Sequence, residues 1–572
     1  MKEIDYAIVG GGVAGTYCAW RLKKKYGNKK KIELFEYSDR IGGRLLSIQP
    51  EAFNKIKCPD GKTLGEKGGG IDVVGELGGM RYIPEQHKIF KKLIDELGLD
   101  AVPFPMGDEQ NKNGENNIAY FRQTHLRIKE LNDPKKVPFP KLAWTEKGLT
   151  PDQLQYSIMK AFVPEYDDLD DDLEKWANVD MYGKKLYQFG FWNLLYRVLS
   201  PEAYVFLKYG SGYDTNVSNG NAAILLPTGE EFSPETSPKK DPKTSNEPRT
   251  TKFWTLKNGL QSLPLKLKEE FETTYHGIVN INHHLDSIEK VKKGYKLRFI
   301  ITATEYVNGR YATVDTKEEV FVLAQYIILA MPRTALEQIK WDQWKTNDFL
   351  KENLDSVLNQ PAMKILLAYD YAWWKSLGIL YGRSITDLPI RQTLYFTSEN
   401  DKDPKIIKKK PSLLLASYND IETIPFWKGL SDVENNSELF CGPAGYQATK
   451  EMVKEANDQI EEMHDFEEML NPVAAAFFDW SEKPFGAGWH CWKPNYKFWE
   501  IAKKMCHPVP AEKVYICGDA YSLAQGWSEG ALETAEQVLT EDLDEDERLE
   551  RIMPDIKLRG AKSVIKKLKR RP

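Results

Sequence analysis

The amino-acid sequence predicts an α/β protein of two or three domains that begins with a dinucleotide-binding unit of the Rossmann type. Three observations support this prediction. A glycine-rich turn at residues 10–15 lies between an apolar strand and a helix, close to the start of the chain. Helical and strand-like patterns of apolar residues both recur along the rest of the sequence. The chain has 572 residues, which is more than a single hydrophobic core usually contains.

The first unit combines the features that a dinucleotide site needs. Its parts are the strand 4–9, the glycine turn 10–15, the helix 17–24 and the strand 32–35. Gly10 permits the tight turn, Gly12 lets the backbone approach a pyrophosphate, and Gly15 allows close packing of helix on strand. Glu36 follows the second strand, where an acid bonds a ribose hydroxyl. Because these features occur in register, we predict a bound dinucleotide rather than a purely structural glycine turn.

Two further motifs point to the identity of the dinucleotide. Residues 38–44 read Ser-Asp-Arg-Ile-Gly-Gly-Arg, a turn whose backbone amides and guanidinium groups suit an anion. Near the other end, an apolar strand at 514–517 precedes a Gly-Asp pair and the turn Gln-Gly-Trp-Ser-Glu-Gly-Ala at 525–531. Together with the first unit, these motifs resemble the FAD-binding signatures of the flavin amine oxidase family. Asp519 stands where that family usually has Glu, and the shorter acid can still bond a hydroxyl.

The resemblance implies that FAD is bound by residues from both ends of the chain, without a covalent bond. The residues that it assigns to FAD are Gly10, Gly12, Val13, Ala14, Gly15, Glu36, Arg40, Gly43, Arg44, Gly79, Met80, Arg81, Leu285, Gly518, Asp519, Gly526 and Trp527. Monoamine oxidases of the family bond the flavin to a cysteine near the position of Cys491. Here Trp489 and His490 precede that cysteine where those enzymes have small residues, so we expect non-covalent FAD.

The resemblance also implies a discontinuous FAD-binding domain, a substrate-binding domain with a mixed sheet, and a helical domain. The FAD-binding domain comprises 1–60, 252–332 and 505–545, the substrate-binding domain 61–130 and 333–504, and the helical domain 131–226. Residues 227–251 are rich in Pro, Ser, Thr, Lys and Glu, which predicts a mobile loop. The C-terminal tail comprises 546–572, and its basic part from Gly560 onward is expected to be a frayed, solvated helix end. Seven acids in 165–174 are expected to form a solvated face.

Arg81 is the most informative residue for the chemical class of the substrate. It ends the sequence Gly79-Met80-Arg81, and the resemblance assigns this motif to the amino acid oxidase branch, where the arginine binds the substrate carboxylate. A planar guanidinium can form two parallel hydrogen bonds with a planar carboxylate. Monoamine and polyamine oxidases lack an arginine at this point. The alternative is an ordinary structural or surface arginine.

Two further residues are predicted to act at the same site. The stretch 382–391 resembles a motif of L-amino acid oxidases, and Tyr395 after it is predicted to bind the carboxylate, or else to be a core aromatic. Lys364 lies inside an apolar strand pattern, where a charged group is costly and requires a reason. In the family a lysine here holds a water against flavin N5 and assists the reduction of oxygen. The alternative places Lys364 on the solvent side of its strand.

The remaining substrate contacts are predicted from the C-terminal turn and from an aromatic run at 485–492. The resemblance implies that the Gly526 carbonyl accepts a hydrogen bond from the substrate amine. It also implies that Trp527 forms one wall of an aromatic cage. Trp489 is predicted to form another wall, with a place in the core as the alternative, since clustered aromatic residues are often core.

Composition and charge argue against several other classes of function. The formal net charge of −5 does not favour nucleic acid. The first strand leaves no room for a signal peptide and no apolar run approaches 18 residues, so we expect a cytoplasmic protein without membrane contact. The six cysteines show no zinc-like spacing, and the eight histidines show no metal-like spacing. We expect no metal site, and we expect a homo-oligomer.

These expectations describe an FAD-dependent L-amino acid oxidase whose partners are a small L-amino acid and O₂. Hydride transfer from Cα to flavin N5 would lead to a 2-oxo acid, ammonia and hydrogen peroxide. An aromatic cage favours large apolar or polar side chains, and the acidic run at 165–174 would favour basic ones by electrostatic steering. Three alternatives stay open: an amino acid 2-monooxygenase that yields an amide and CO₂, an amine oxidase, and a non-catalytic FAD-binding scaffold.

Overall fold

The structure is a computed structural model that describes residues 1–554, apart from 59, 107–115, 163–172, 227–252, 397–409, 432–437, 467–468 and 483. The predicted loop 227–251, the basic end of the tail and most of the acidic run 165–174 lie outside the described residues. Within the described part of the chain, no helix is both long enough and apolar enough to cross a membrane.

The chain contains both strands and helices, in runs of either kind. The strands are β1 Lys2–Val9, β2 Ile32–Phe35, β3 Ser47–Ile48, β4 Gly75–Glu76, β5 Ala101–Pro103, β6 Ile118–Phe121, β7 Thr124–Arg127, β8 Asp180–Met181, β9 Lys184–Lys185, β10 Trp254–Leu256, β11 Ile278–Asn280, β12 His283–Val291, β13 Gly294–Val307, β14 Arg310–Leu329, β15 Val357–Gln360, β16 Ala362–Tyr369, β17 Gly382–Thr386, β18 Gln392–Tyr395, β19 Ser412–Asp420, β20 Ala474–Asp479, β21 Trp489–Trp492 and β22 Val514–Ile516. The helices are α1 Val13–Tyr26, α2 Pro50–Asn54, α3 Lys88–Glu96, α4 Pro151–Phe162, α5 Leu173–Ala177, α6 Phe191–Val198, α7 Pro201–Ser211, α8 Ala222–Leu225, α9 Ser262–Thr273, α10 Arg333–Gln338, α11 Gln343–Thr346, α12 Asp348–Asn353, α13 Ile424–Ser431, α14 Lys450–His464, α15 Phe498–Met505 and α16 Ser528–Gln537. This combination of sheets and helices confirms the predicted α/β class.

The first sheet is built from three separate stretches of the chain. Its strand order is β11-β2-β1-β14-β13-β12, and β22 also pairs with β14. β1 pairs in parallel with β2 and with β14, and β14 pairs in parallel with β22. β2 and β22 are buried throughout, as is usual for parallel strands that are covered on both faces. Because these strands are parallel, the residues that follow β1, β2 and β22 meet at one edge of the sheet.

Helix α1 begins directly after the glycine turn and packs against α9 and α16. Gly15, in its first turn, has to be glycine, because a Cβ there would lie 1.8 Å from the Gly10 carbonyl oxygen. Lysines in the last turn of the helix stabilise its dipole. The tight packing holds the start of the helix, and its free N–H groups, at the edge of the sheet.

The first part of the predicted tail belongs to the folded domain. Residues 546–554 pack on α1, where Leu549 is buried. The Tyr26 hydroxyl donates to the Glu547 carbonyl at 3.0 Å. Residues 546–554 are therefore folded, and their apolar side chains complete the core beside α1. The residues from Gly560 onward, for which a solvated helix end is expected, lie outside the described residues.

The second sheet has the strand order β20-β16-β19-β18-β17-β6-β7. It is mixed, because β17 runs parallel to β6 while its other neighbouring strands are antiparallel. Every residue of β16 is buried. In the β16–β19 pair Lys364 lies opposite Tyr418. Directly opposed residues of an antiparallel pair share a face, so these two side chains lie together.

A layer of helices, α4, α6, α7 and α8, lies beside the second sheet. Thr150 and Pro151 are of the residue types that are typical at the start of a helix. The Thr150 hydroxyl accepts a hydrogen bond from Gln153 N–H at 3.3 Å, and Pro151 is the first residue of α4. Helix α7 ends at Gly212, whose φ of 80° is left-handed. Tyr213 follows, and the short helical turn Asp214–Val217 after it contacts β19 of the second sheet.

Candidate active site

A cavity of about 400 Å³ lies where the edge of the first sheet meets the second sheet and the helical layer. This is within the usual size of a ligand pocket. The predicted site residues that line it are Gly10, Gly12, Val13, Ala14, Glu36, Gly43, Arg44, Gly79, Met80, Arg81, Leu285, Lys364, Trp489, Gly518, Asp519, Gly526 and Trp527. The fold thus brings together residues from the two ends and the middle of the sequence. Gly15, Arg40 and Tyr395 do not line this cavity.

Two glycine turns face each other at the nucleotide end of the cavity. Among the described residues, a Cβ on Gly12 would meet only the Cα of Gly43, at 3.7 Å. Gly10 has a φ of 115°, and a Cβ there would lie 2.2 Å from the Ala330 carbonyl oxygen. The backbone of both turns is therefore bare toward the cavity, which fits a pyrophosphate bound through main-chain N–H groups. Gly15 contributes to this site through packing, not through the lining.

Glu36 lies at the same end of the cavity, directly after β2. Its Oε2 accepts from Gly11 N–H at 2.6 Å, and its Oε1 accepts from the N–H and the hydroxyl of Ser38 at 3.0 and 2.8 Å. These bonds fix the carboxylate at the edge of the sheet. Leu285 and His284 line the cavity nearby. The arrangement fits a ribose hydroxyl at Glu36 with the adenine beside Leu285.

The two arginines of the turn 38–44 have different roles. Arg40 donates to the carbonyl oxygens of Gly43 and Leu45, the second at 2.8 Å, and shapes the turn from behind. The structure does not support the prediction that Arg40 binds the cofactor directly, because its guanidinium is engaged with the backbone. Arg44 lines the cavity and forms an ion pair with Asp519.

Asp519 follows β22 and lies in the cavity as an ionised acid. Burial opposes its ionisation, but Arg44 and His490 hold the pKa of Asp519 below its usual range. His490 Nδ1 lies 3.5 Å from Asp519 Oδ2, and burial lowers the pKa of this imidazole. An ionised carboxylate at the edge of the first sheet can accept hydrogen bonds from hydroxyl groups of a bound nucleotide. The nucleotide end of the cavity therefore fits FAD.

Arg81 lies at the other end of the cavity. Within the described residues, Nε and Nη1 of its guanidinium are buried and have no hydrogen-bond partner. Nη2 donates to the Tyr213 hydroxyl at 3.3 Å, and the guanidinium carbon lies 5.0 Å from the centre of the Phe253 ring. Buried donors without an acceptor are costly. Their position beside a cavity indicates a site for an anionic group of a ligand, and a carboxylate matches a guanidinium best.

Lys364 lies in the cavity wall on β16 and is 2% exposed. Its Nζ donates to the carbonyl oxygens of Gly78 and Glu76, the second at 3.2 Å, and lies 4.5 Å from the centre of the Tyr418 ring. Burial lowers the pKa of Lys364, Glu76 opposes this shift, and Arg81 adds to it. The structure excludes the alternative in which this lysine faces solvent. The bond to Gly78 also fixes the segment that leads to Arg81.

Aromatic side chains surround this end of the cavity. Tyr213 and Tyr418 pack edge to face with their ring centres 5.2 Å apart, and Trp489 lies 6.2 and 6.4 Å from them. Trp527 lines the cavity from the turn 525–531. Gly526, in the same turn, also lines the cavity and has a left-handed φ of 80°. The two predicted tryptophans thus reach the cavity together with two tyrosines. A ligand side chain here would pack against aromatic walls.

Tyr395 is placed elsewhere. It ends β18 within the buried core of the second sheet. Its hydroxyl forms hydrogen bonds with Ser384 Oγ at 2.6 Å and with His464 Nε2 at 2.5 Å. Both hydrogen bonds are made within the protein, so this hydroxyl is not free for a carboxylate. The prediction that Tyr395 binds the substrate is corrected accordingly, and the tyrosine that reaches Arg81 is Tyr213.

Sequence reasoning missed Tyr213 and Tyr418. The signal for Tyr418 is its position opposite Lys364 in the β16–β19 pair, which is visible only when the pairing of the strands is known. Gly212, directly before Tyr213, indicates from the sequence that a helix ends there. It does not indicate which part of the protein Tyr213 contacts.

Cys491 lines the cavity as a buried free thiol. Burial raises the pKa of this thiol to about 12, which disfavours the reactive thiolate. The site thus offers no activated cysteine at this position for a bond to the flavin. Among the described residues, no group of His, Cys, Asp or Glu side chains is arranged to hold a metal ion.

Comparison with known proteins relates the site to a family. A family model described as flavin-containing amine oxidoreductase matches residues 13–539. Aplysianin-A of Aplysia kurodai is 28% identical over 558 residues, which cover 94% of this chain and 90% of that protein. Achacin of Lissachatina fulica is 27% identical over 551 residues, covering 94% and 92% of the two chains. An L-amino-acid oxidase of Demansia vestigiata is 24% identical over 533 residues, covering 92% and 84%.

A solved structure of a putrescine oxidase variant with redesigned cofactor binding resembles this chain. The TM-score is 0.58 at 14% identity, and the match covers 93% of this chain and 97% of the other. At this level of identity the likeness shows the fold alone, and it extends over both sheets described above.

Proposed function

Because this chain belongs to the family of flavin-containing amine oxidoreductases, we propose that it is an FAD-dependent L-amino acid oxidase. It converts an L-amino acid, oxygen and water into a 2-oxo acid, ammonia and hydrogen peroxide, the water being consumed when the imine product hydrolyses. The observation that carries this proposal is Arg81, a guanidinium that keeps two buried donors without partners among the described residues. A substrate amine without a carboxylate would leave this buried cation without an anion, which is unfavourable.

The nucleotide end of the cavity would hold FAD. The two glycine turns would bind the pyrophosphate, Glu36 a ribose hydroxyl, and Asp519 further hydroxyl groups. When bound, FAD accepts a hydride from the substrate Cα and passes the electrons to oxygen. The residues at the other end of the cavity determine which molecule is held there and in which orientation.

Two contacts orient the substrate. Arg81 binds the carboxylate, with the Tyr213 hydroxyl beside its Nη2. The Gly526 carbonyl accepts a hydrogen bond from the amine. Binding the carboxylate and the amine at the same time fixes the direction of the Cα–H bond, and such orientation supplies a large part of an enzyme's rate. The aromatic rings of Tyr418 and Trp489 exclude water from the bound substrate.

Lys364 holds a proton at Nζ. Two hydrogen bonds to backbone carbonyls leave one further position of Nζ for a water molecule or a substrate group. Because burial lowers the pKa of Lys364, its neutral amine forms at a lower pH than that of a free lysine. The neutral amine can take a proton from the substrate ammonium, and the charged form can return one during the reduction of oxygen.

We infer that large side chains are accepted broadly. The cavity presents aromatic surface from Tyr213, Tyr418, Trp489 and Trp527, against which apolar and long side chains pack. Steering by the acidic run 165–174 would add a preference for basic side chains that weakens with salt. Values of kcat/KM for leucine, phenylalanine, glutamine, lysine and arginine at low and high salt separate the two effects. A strong preference for small or acidic substrates would contradict the aromatic cage.

The experiment that tests the proposed function measures hydrogen peroxide from the purified holoenzyme with each L- and D-amino acid and with the matching decarboxylated amines. Peroxide from L-amino acids, with a 2-oxo acid identified by mass, is the expected result. An amide and CO₂ would instead show a monooxygenase. Peroxide from amines alone would show an amine oxidase, and a flavin that no substrate reduces would show a non-catalytic scaffold.

A further inference from the structure

The segment 211–215, which carries Tyr213, is held by charged residues that lie outside the cavity lining. Tyr213 is the residue that contacts Arg81 through its hydroxyl. We propose that Asp420 and Arg391 are positioning residues, which hold this segment, and with it Tyr213 and Arg81, in the geometry that binds the substrate carboxylate. The inference rests on the proposed function and extends it to two residues that do not touch the substrate.

Asp420, the last residue of β19, accepts three hydrogen bonds from the segment. Its Oδ1 accepts from Asp214 N–H at 2.8 Å. Its Oδ2 accepts from the N–H and the hydroxyl of Thr215 at 2.9 and 2.7 Å. Asp420 is fully buried, so a shift of the segment would leave buried donors without an acceptor. The second sheet therefore sets the position of the two residues that follow Tyr213.

Asp214 is part of the segment, and its carboxylate accepts hydrogen bonds from residues outside the segment. Its Oδ2 accepts from Glu422 N–H at 3.1 Å, two residues beyond Asp420. Its Oδ1 accepts from Arg391 Nη2 at 3.2 Å, and the same nitrogen donates to the Lys208 carbonyl of α7 at 3.0 Å. Arg391 is 1% exposed. The segment is thus tied to β19 from both sides and to the helix from which it comes.

Two arginines of the motif at 382–391 form hydrogen bonds in this network. Arg391 is its last residue, and Arg383 also donates to the segment, from Nη1 to the carbonyl of its first residue at 3.0 Å. The sequence resemblance linked this motif to carboxylate binding through Tyr395. The contacts link it instead to the segment of Tyr213, so the motif acts on the carboxylate site through a different tyrosine.

Tyr418 connects the network to the cavity wall. It lies two residues before Asp420 on β19, so both side chains are on the same face of the strand. Its ring packs edge to face on Tyr213 and lies beside Nζ of Lys364. One strand therefore places Tyr418 directly and Tyr213 through Asp420.

A buried network of this kind is a costly way to join a helix to a sheet. Two carboxylates and a guanidinium lose their hydration when buried, and apolar residues of similar volume often stabilise a protein as well or better. The charged groups instead fix the position of the segment 211–215, because their hydrogen bonds tolerate little displacement. A site that must align a guanidinium with a substrate requires such a fixed position.

The test compares Asp420→Asn with a matched control in the holoenzyme. Asp420→Asn keeps the shape of the side chain and replaces one acceptor oxygen by a donor. Glu146→Gln makes the same change at a buried carboxylate that accepts from two backbone N–H groups and one hydroxyl, at 2.6–2.7 Å, outside the cavity lining. Two readouts are used: the KM and kcat for L-amino acids, and hydrogen exchange of the amides in 211–216 by mass spectrometry.

In Asp420→Asn we expect faster exchange in 211–216 and a KM raised about tenfold, with kcat within about threefold and unchanged FAD content. Glu146→Gln should change neither exchange in this segment nor KM, whatever its effect on Tm. The inference is overturned if exchange is unchanged in Asp420→Asn, if KM is unchanged in an active enzyme, or if Glu146→Gln gives the same result. If the wild type oxidises no amino acid, the proposed function fails, and the exchange result alone decides whether Asp420 holds the segment.

Discussion

Arg81 is the residue on which the proposed substrate class depends. Arg81→Lys replaces a planar guanidinium, which can form two parallel hydrogen bonds, by an ammonium group. We expect carboxylate binding to weaken by about 2–3 kcal/mol, which corresponds to a rise in KM of roughly 30- to 150-fold. FAD content should not change, because the glycine turns, Glu36 and Asp519 are untouched. Steady-state kinetics and the flavin absorbance of the purified variant check both parts. An unchanged KM would remove Arg81 from the site and favour the amine oxidase alternative.

Lys364→Met removes a buried ammonium group while keeping the length and volume of the side chain. We expect reduction by substrate and reoxidation by oxygen, each followed by stopped flow, to slow by about tenfold or more. Tm should stay the same or rise, because burying an amine is costly. Lys23→Met is the matched control, since Lys23 is a buried lysine whose Nζ donates to the Gly27 carbonyl at 3.1 Å, outside the cavity lining. Wild-type rates in Lys364→Met would contradict its role.

Site residues could be predicted from the sequence where a local pattern carries the chemistry. Arg81 ends a three-residue motif, and Lys364 is a charge within an apolar strand, so both stand out without knowledge of the fold. Tyr213 and Tyr418 do not stand out, because their relevance depends on the direction of the chain after α7 and on the pairing of β16 with β19. Tyr395 follows a recognisable motif, but its hydroxyl is bonded within the core.

At the scale of the element, the glycine turn before α1 contains glycines of two kinds. In Gly15→Ala the Cβ would lie 1.8 Å from the Gly10 carbonyl oxygen, so we expect a folding defect. In Gly12→Ala the Cβ meets only the Cα of Gly43 among the described residues, at 3.7 Å, so the protein should fold. Its methyl group would occupy the approach of the pyrophosphate and raise the Kd for FAD by about tenfold or more. FAD titration of the apoprotein checks this. Wild-type affinity in Gly12→Ala would contradict the proposed binding of the pyrophosphate at this turn.

Helix α14 ends in a histidine that makes stability depend on pH. Burial lowers the pKa of His464 to about 3, whereas an unfolded chain titrates near 6.5. Between these values the unfolded chain binds a proton that the folded protein does not, so the free energy of unfolding falls as the pH falls from about 6.5. Relative to His464→Gln, the wild type should lose about 2 kcal/mol between pH 7 and pH 5. Thermal unfolding of both proteins at pH 5, 6 and 7 checks this, and a constant difference in Tm would contradict it.

Elements could be predicted where their signals are local. The strand 32–35 has its predicted bounds, and the capped start of α4 is where Thr150 and Pro151 indicate. The apolar pattern of residues 321–329 indicates a strand there, but in the structure β14 already begins at Arg310. Its polar residues 310–320 pair with β13 as an exposed ribbon that shows no apolar alternation. The spacing of apolar residues in 84–99 indicates a helix over this whole range, whereas α3 comprises only Lys88–Glu96. Its first N–H groups are bonded by the distant carboxylate of Glu529, which a local pattern cannot reveal.

At the scale of the whole molecule, the FAD site depends on both ends of the chain. The first sheet joins β1 and β2 to strands between residues 278 and 329 and to β22. This could be predicted because a cofactor motif is present at each end of the sequence. The domain boundaries, the homo-oligomer and the cytoplasmic location stay predictions, since they depend on surfaces and surroundings that neither motifs nor a single chain reveal.

The purified protein should be yellow, with FAD bound non-covalently. The physical reason is the buried Cys491 thiol, whose raised pKa disfavours the thiolate that a flavin bond would require. Acid precipitation should release the colour into the supernatant, where absorbance and mass identify FAD. Colour that stays with the precipitated protein would contradict this prediction and direct attention to Cys491.

The proposed function requires that the substrate carboxylate bind at Arg81 and that the adjacent Cα be oxidised. The most direct measurement is the anaerobic bleaching of the flavin by L-phenylalanine, D-phenylalanine and 2-phenylethylamine, compared at equal concentrations in the holoenzyme. We expect rapid bleaching by L-phenylalanine, with rates lower by about 100-fold or more for the amine, which lacks the carboxylate. Bleaching by 2-phenylethylamine as fast as by L-phenylalanine would contradict the proposed function.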